Sequence, residues 1–297
     1  MTCALRYGVV DWRMQAPSRL TLDTSFFARV QSWRDPQSRT RLLHDLHGPR
    51  FAVHVNKESL LESAQLAIAQ LPGDRRLLQG RAHLVLAVLD LPLLRSIGDI
   101  IESELQGVQN TLCANKEVEN IRQVFERLAK GERPSEVISF CQVLKARKDA
   151  HGKYWALVKR EFEDATSQYD VVPEDWYAFR QQVWTTEGLA AVGTRVPPNG
   201  VFAFSDAAER VLTEPGRFPF TEAYVNVVLN YVWRVIDQRR TPLEPNVHDL
   251  DMVMYLAQMD VLVSSEQVLA EVISDVFGGA KRLEDPTLLA ERLAGAW

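Results

Sequence analysis

Apolar positions along the chain first follow a strand–helix alternation, then a long helical spacing, then the alternation again. Residues 19–31, RLTLDTSFFARVQ, open with a short apolar stretch that meets an acid and small hydroxyl residues. This predicts a strand ending at Leu22 or Asp23, then a helix start capped by Thr24 or Ser25. Asp35-Pro36 opens a second helix with Leu42, Leu43 and Leu46 on its apolar side. FAVHV, 51–55, reads as the next strand, with Asn56 as the cap of a helix that Pro72-Gly73 stops. Strand, helix, strand, helix suits a parallel sheet.

From about residue 75 to 240 the spacing is mostly helical. Segments 81–90, 96–107, 114–130, 134–148 and 151–168 have helical character, with breaks at Gly131, Pro134 and Gly152. The tract 192–204 reads as a loop, and helices resume at about 205–213 and 220–238. The α/β pattern then returns: a helix over 246–258, the strand DVLVSS at 260–265, and a helix over 266–276 ended by Gly278-Gly279. A last short strand in AKRLED and a helix begun by Pro286 follow. Pairing the two ends in one sheet is the economical solution. It predicts an α/β domain built from residues 1–75 and 240–297, with 76–239 as a mostly helical insert or subdomain.

Composition narrows the classes. Hydrophobic residues make up 46% and charged residues 25% of the 297, an ordinary globular balance that argues against disorder. Cys3, Cys113 and Cys141 form neither a disulfide framework nor a CxxC pair. No secretory leader is expected at the N-terminus, and the longest apolar run, 82–94, is too short to span a bilayer. A cytoplasmic protein without membrane partners is therefore expected. A net charge of -5 supplies no overall attraction to nucleic acid, though carboxylates that hold cations reverse the local sign.

The distinctive feature is where acids fall. Asp23 stands where a strand runs out, Glu62 on the helix after the second strand, Asp249 and Asp251 at a helix start, and Glu266 just after LVS. In an open parallel sheet these positions line one crevice. Carboxylates gathered there are what Mg²⁺ or Mn²⁺ requires. Any one of them taken alone reads more simply as a helix cap. Thr24 and Ser264 or Ser265 are placed to hydrogen-bond the carboxylates. Asn226, Asn230 and Arg234 make a stripe at i, i+4, i+8, read first as a solvated helix face and second as a phosphate contact. The basic residues Lys145, Arg147, Lys148, Lys153, Lys159 and Arg160 are followed by Glu161, Glu163 and Asp164, which favours a solvated charged helix. The histidines have no HxxxH or HExxH spacing, and no phosphate-cradling glycine loop occurs.

The motifs LDTSFF (22–27), FAVHVNKESLLES (51–63) and HDLDMVMYLAQMDVLVSSEQVL (248–269) together resemble the PIN-domain superfamily, over about residues 19–72 and 245–295. The resemblance implies a PIN-like parallel sheet flanked by helices. It implies a metal site of Asp23, Glu62, Asp249 or Asp251, and Glu266, and a divalent-metal-dependent endoribonuclease that hydrolyses RNA. Two departures matter. Glu266 stands where the family commonly has Asp, and Asp249 and Asp251 lie about 200° apart on a helix, so either is the third ligand. The alternative is a catalytically weak or inactive PIN-like protein, a scaffold that binds RNA, or binds protein through its helical insert.

Overall fold

The computed structural model describes residues 17–65, 72–133, 135–163, 173–197, 201–237 and 250–293, the side chains at 72–74, 144, 147, 148 and 151 aside. Five strands, β1 (Ser18–Leu22), β2 (Phe51–Asn56), β3 (Leu93–Leu94), β4 (Val261–Val263) and β5 (Arg282–Glu284), form one sheet in the order β3-β2-β1-β4-β5. Every pairing is parallel. The central strand β1 pairs Leu22 with Val55 on one side and with Val263 on the other. Leu20, Thr21 and Leu22 are all fully buried, as expected of a strand covered on both faces.

Alternation along each strand assigns the two faces. Leu20, Leu22, Val53, Val55, Leu93, Val261 and Val263 belong to one apolar core, whereas Leu94 and Leu262 belong to the other. The first core packs α1 (Thr24–Gln31), α2 (Pro36–Leu46), α3 (Lys57–Ser63), α4 (Pro72–Val88) and α6 (Asn115–Ala129) against the sheet. The second joins α5 (Ile97–Leu105), α8 (Trp176–Val183), α9 (Thr186–Gly193), α10 (Phe204–Thr213) and α11 (Pro219–Ile236) to the opposite face. It also takes in α12 (Leu250–Met254) with its 3-10 continuation Tyr255–Ala257, and α13 (Leu269–Phe277). The last helix, α14 (Pro286–Leu293), returns Leu289 to the first core.

Helix α11 is the hub of the second layer: every residue from Phe220 to Ile236 except Glu222 is buried. A helix apolar around most of its circumference must be surrounded, and α11 packs against α5, α7 (Ser135–Glu163), α8, α10, α12 and α13. Helix α7 (Ser135–Glu163) runs unbroken through Gly152, where a break was expected. Its first half gives Val137 and Cys141 to one core, and its second gives Tyr154, Trp155, Val158 and Phe162 to the other. Packing at both ends outweighs the roughly 1 kcal/mol that a glycine costs inside a helix.

An α/β architecture with a parallel sheet flanked by helices and a large helical insertion is thus present. One strand lies elsewhere than expected: β3, at Leu93–Leu94, comes from inside the segment read as insert. Two residues are too few to show a period, and Pro92 precedes them. The first cap also differs. Asp23 itself, in extended conformation, caps α1, accepting a hydrogen bond from the Thr24 amide. None of the helices among the described residues is long and apolar enough to cross a membrane.

Candidate functional site

In a sheet ordered 3-2-1-4-5, the chain leaves β1 towards β2 on one side, and β4 flanks β1 on the other. The carboxyl ends of β1 and β4 therefore frame the crevice where open α/β sheets bind ligands. Asp23 follows β1 directly and Ser264 follows β4. The Asp23 amide donates to the Val263 carbonyl at 3.1 Å, extending the ladder by one residue and fixing the two strand ends together.

Asp23 is only 2% exposed. Its Oδ1 accepts from the Thr24 amide, and its Oδ2 accepts from the hydroxyls of Ser25 at 2.9 Å and Ser264 at 2.8 Å. Ser25 and Ser264 lie 3.0 Å apart, and Ser25 Oγ also accepts from the Ser265 amide at 2.9 Å. The Glu266 amide donates to Ser264 Oγ at 3.1 Å, which brings the turn carrying Glu266 to the same place. On the other side the Thr24 hydroxyl donates to Glu62 Oε2 at 2.6 Å. Burial pushes the Asp23 carboxyl above its ordinary range and the Glu62 charge adds to this, while the bonds from Ser264, Ser25 and Thr24 oppose it.

Asn56 supports this arrangement from β2. Fully buried, it accepts from the Ser59 amide at 2.7 Å to cap α3 and donates to the Leu22 carbonyl at 2.6 Å. One side chain thus sets both the start of the Glu62 helix and the end of the Asp23 strand.

The acids named from the sequence divide into groups. Asp23 and Glu62 meet across Thr24, and Glu266 joins them through its backbone. Asp251 faces another environment, close enough to raise further the already burial-raised phenols of Tyr154, Tyr224 and Tyr255. Tyr154 is pushed up to about 12. Asp249 and His248 lie outside the described residues. Among the described residues no group of three or more His, Cys, Asp or Glu is placed to hold a metal ion. Mg²⁺ and Mn²⁺ favour about six oxygens, usually with several carboxylates.

Of the hydroxyl residues, Thr24 and Ser264 take the hydrogen-bonding places expected of them. Ser25 does more than sequence reasoning gave it, since it touches Asp23, Ser264 and Ser265 at once. The signal lay in the run Asp-Thr-Ser, a hydroxyl pair behind a strand-end acid. Glu58, unremarked in the sequence, accepts from the Ile97 amide and the Tyr255 hydroxyl, each at 3.3 Å, and so ties α3 to α5 and the second layer.

The polar stripe of α11 is not a solvated face. Asn230 and Arg234 are 0% and 3% exposed. Arg234 donates to Asn230 Oδ1 at 3.0 Å, to Glu271 at 3.0 Å and to Asp275 at 2.5 Å, clamping α11 to α13. In α7, Lys159 and Arg160 pair with Glu163 and Glu161, as alternating charge on an exposed helix predicts. No protein-family model matches the chain, and neither a curated protein nor a solved structure matches it.

Proposed function

We propose that this is a PIN-like α/β protein whose strand-end acids act as a hydrogen-bonded latch, and which works as a binding scaffold for RNA or protein. The observation that supports this reading is the engagement of both Asp23 oxygens by its own neighbours. Three donors on two oxygens, all from residues within the same turn pair, hold the carboxylate at 2% exposure. Such an arrangement joins β1 to β4 and orients Thr24 towards Glu62, which is structural work. Calorimetric titration with Mn²⁺ tests it. No saturable heat from the folded wild type is expected. A stoichiometric binding isotherm that vanishes in Asp23→Asn would overturn the latch assignment.

A second reading, a divalent-metal-dependent endoribonuclease, is favoured by one specific observation. Asp23, Glu62 and the Glu266 turn occupy the carboxyl ends of a 3-2-1-4-5 parallel sheet, where chemistry is usually placed in such folds. That reading needs Mg²⁺ or Mn²⁺ and a further carboxylate, Asp249 or Asp251, beside Asp23, Glu62 and Glu266. It predicts metal-dependent RNA cleavage that Asp23→Asn abolishes.

A further inference from the structure

At the opposite end of the sheet the second layer lines a half-open cleft of about 400 Å³. The 3-10 turn ending at Ala257 leads into β4 and α13 ends at Phe277 before β5, so this cleft opens beside the amino ends of the strands. Its volume falls within the roughly 300–1,000 Å³ of small-molecule sites. The walls that matter are Trp176, Tyr177 and Arg180 of α8, Glu222 and Asn226 of α11, and Asp275 of α13.

The Arg180 guanidinium is fixed before any ligand arrives. Its Nε donates to Asn226 Oδ1 at 2.6 Å, and its central carbon sits 4.2 Å from the Trp184 ring centroid. Asn226 is held in turn by its Nδ2 bond to the Glu222 carbonyl. The Arg180 Nη2 lies 4.0 Å from Glu222 Oε1, too far for a hydrogen bond, with both side chains about one-third exposed. A preset pair of Arg180 donors therefore stands in a loose ion pair with the Glu222 carboxylate, without a hydrogen bond between them. Trp176, in the wall, is 2% exposed. Tyr177 beside it is 53% exposed.

A guanidinium next to a carboxylate reads an edge that has acceptors next to donors. Guanine has that edge: O6 and N7 accept from arginine, and the adjoining N1–H and N2–H₂ donate to a carboxylate. Adenine places an amine where O6 would be and so points a donor at Arg180. An exposed tyrosine ring offers any base a stacking face. We propose that this cleft binds a guanine base, either of a free nucleoside or nucleotide or of a single-stranded RNA. This site is separate from the strand-end acids and does not rest on either reading of them.

The test is titration of the intact protein with guanosine, adenosine and cytidine, followed by tryptophan fluorescence, with Arg180→Ala and Glu222→Gln alongside. Short single-stranded RNAs with and without one guanine form the remaining arms. Saturable binding of guanosine at least about ten-fold tighter than of the other nucleosides is expected, with each variant weakening it about ten-fold or more. Glu222→Gln changes a partly exposed side chain by one atom, so it reads recognition even if Arg180→Ala folds poorly. Tighter binding of the guanine-containing RNA than of guanosine assigns the base to RNA, and equal binding assigns it to the free nucleoside; both uphold the site. Absence of saturable binding, equal affinity for all three nucleosides, or wild-type affinity in Glu222→Gln would overturn it.

Discussion

Two fully buried polar residues near the crevice have opposite bookkeeping. Asn56 satisfies the Leu22 carbonyl and the Ser59 amide together. Replacing it with Ala removes a helix cap and strands a buried carbonyl, so Asn56→Ala should cost about 2–4 kcal/mol in urea unfolding. Thr21 of β1 is also fully buried, but its hydroxyl has no partner among the described residues. Thr21→Val keeps the β-branched shape and removes the unmade bond. It should raise stability by about 1 kcal/mol, visible as a higher melting temperature; an unchanged or lower one would mean that the hydroxyl has a partner. Sequence reasoning placed Asn56 as a cap because the residue type and position suffice for that. Its second bond, to a strand 34 residues earlier, carries no local signature. The Asp23 contacts were half legible: Thr24 and Ser264 were named, and the central role of Ser25 depends on the β1–β4 approach.

Among the elements, local punctuation was readable at some boundaries and misread at others: Pro72-Gly73, taken as the stop of the helix after β2, opens α4, while α3 already ends at Ser63. Asp35-Pro36, Gly278-Gly279 and Pro286 mark boundaries that the structure keeps at α2, the end of α13 and α14. Helices α8 and α9 are only eight residues each, though Asp175 and Thr185 cap them, and the strand β3 is two residues long. The α11 stripe shows the same limit at longer range. Polar residues four apart look alike whether they face water or a buried partner, and the partners of Arg234 come from α13. Helix α11 also begins on a borrowed cap: buried Glu104 of α5 accepts from the amides of Phe220 and Thr221 and from the Thr221 hydroxyl. Burial pushes the Glu104 carboxyl up, more than these bonds pull it down. The folded protein thus holds its proton more tightly than the unfolded chain. Stability therefore falls as pH rises from the ordinary glutamate range through the raised value. Subtracting the pH–stability curve of Glu104→Gln from that of the wild type should isolate this decline. A flat difference would show that Glu104 does not titrate in that window.

At the scale of the molecule, both faces of one sheet are covered, one by α1–α4 and α6, the other by α5 and α8–α13, so the middle of the chain supplies helices to both faces. The expectation of an α/β unit formed by both chain ends was legible because strand–helix alternation recurs at both ends. That the helices of the middle divide between the two faces, α4 and α6 on one and α5 and α8–α11 on the other, was not, since helical spacing does not say what a helix packs on. Leu262 of the sheet sits in the same core as α11, and α7 enters both cores. Unfolding should accordingly be one cooperative event, with tryptophan fluorescence and far-UV circular dichroism giving superimposable urea transitions. Two separated transitions would show that the middle segment folds on its own.

The most direct test of the latch-and-scaffold reading is cleavage of a mixed panel of single-stranded and structured RNAs with Mg²⁺ and with Mn²⁺, comparing wild type and Asp23→Asn. The expected result is no metal-dependent cutting by either folded protein, because Asp23 is committed to Thr24, Ser25 and Ser264. Metal-dependent cutting by the wild type that disappears in Asp23→Asn would contradict it and establish the strand-end acids as a nuclease site.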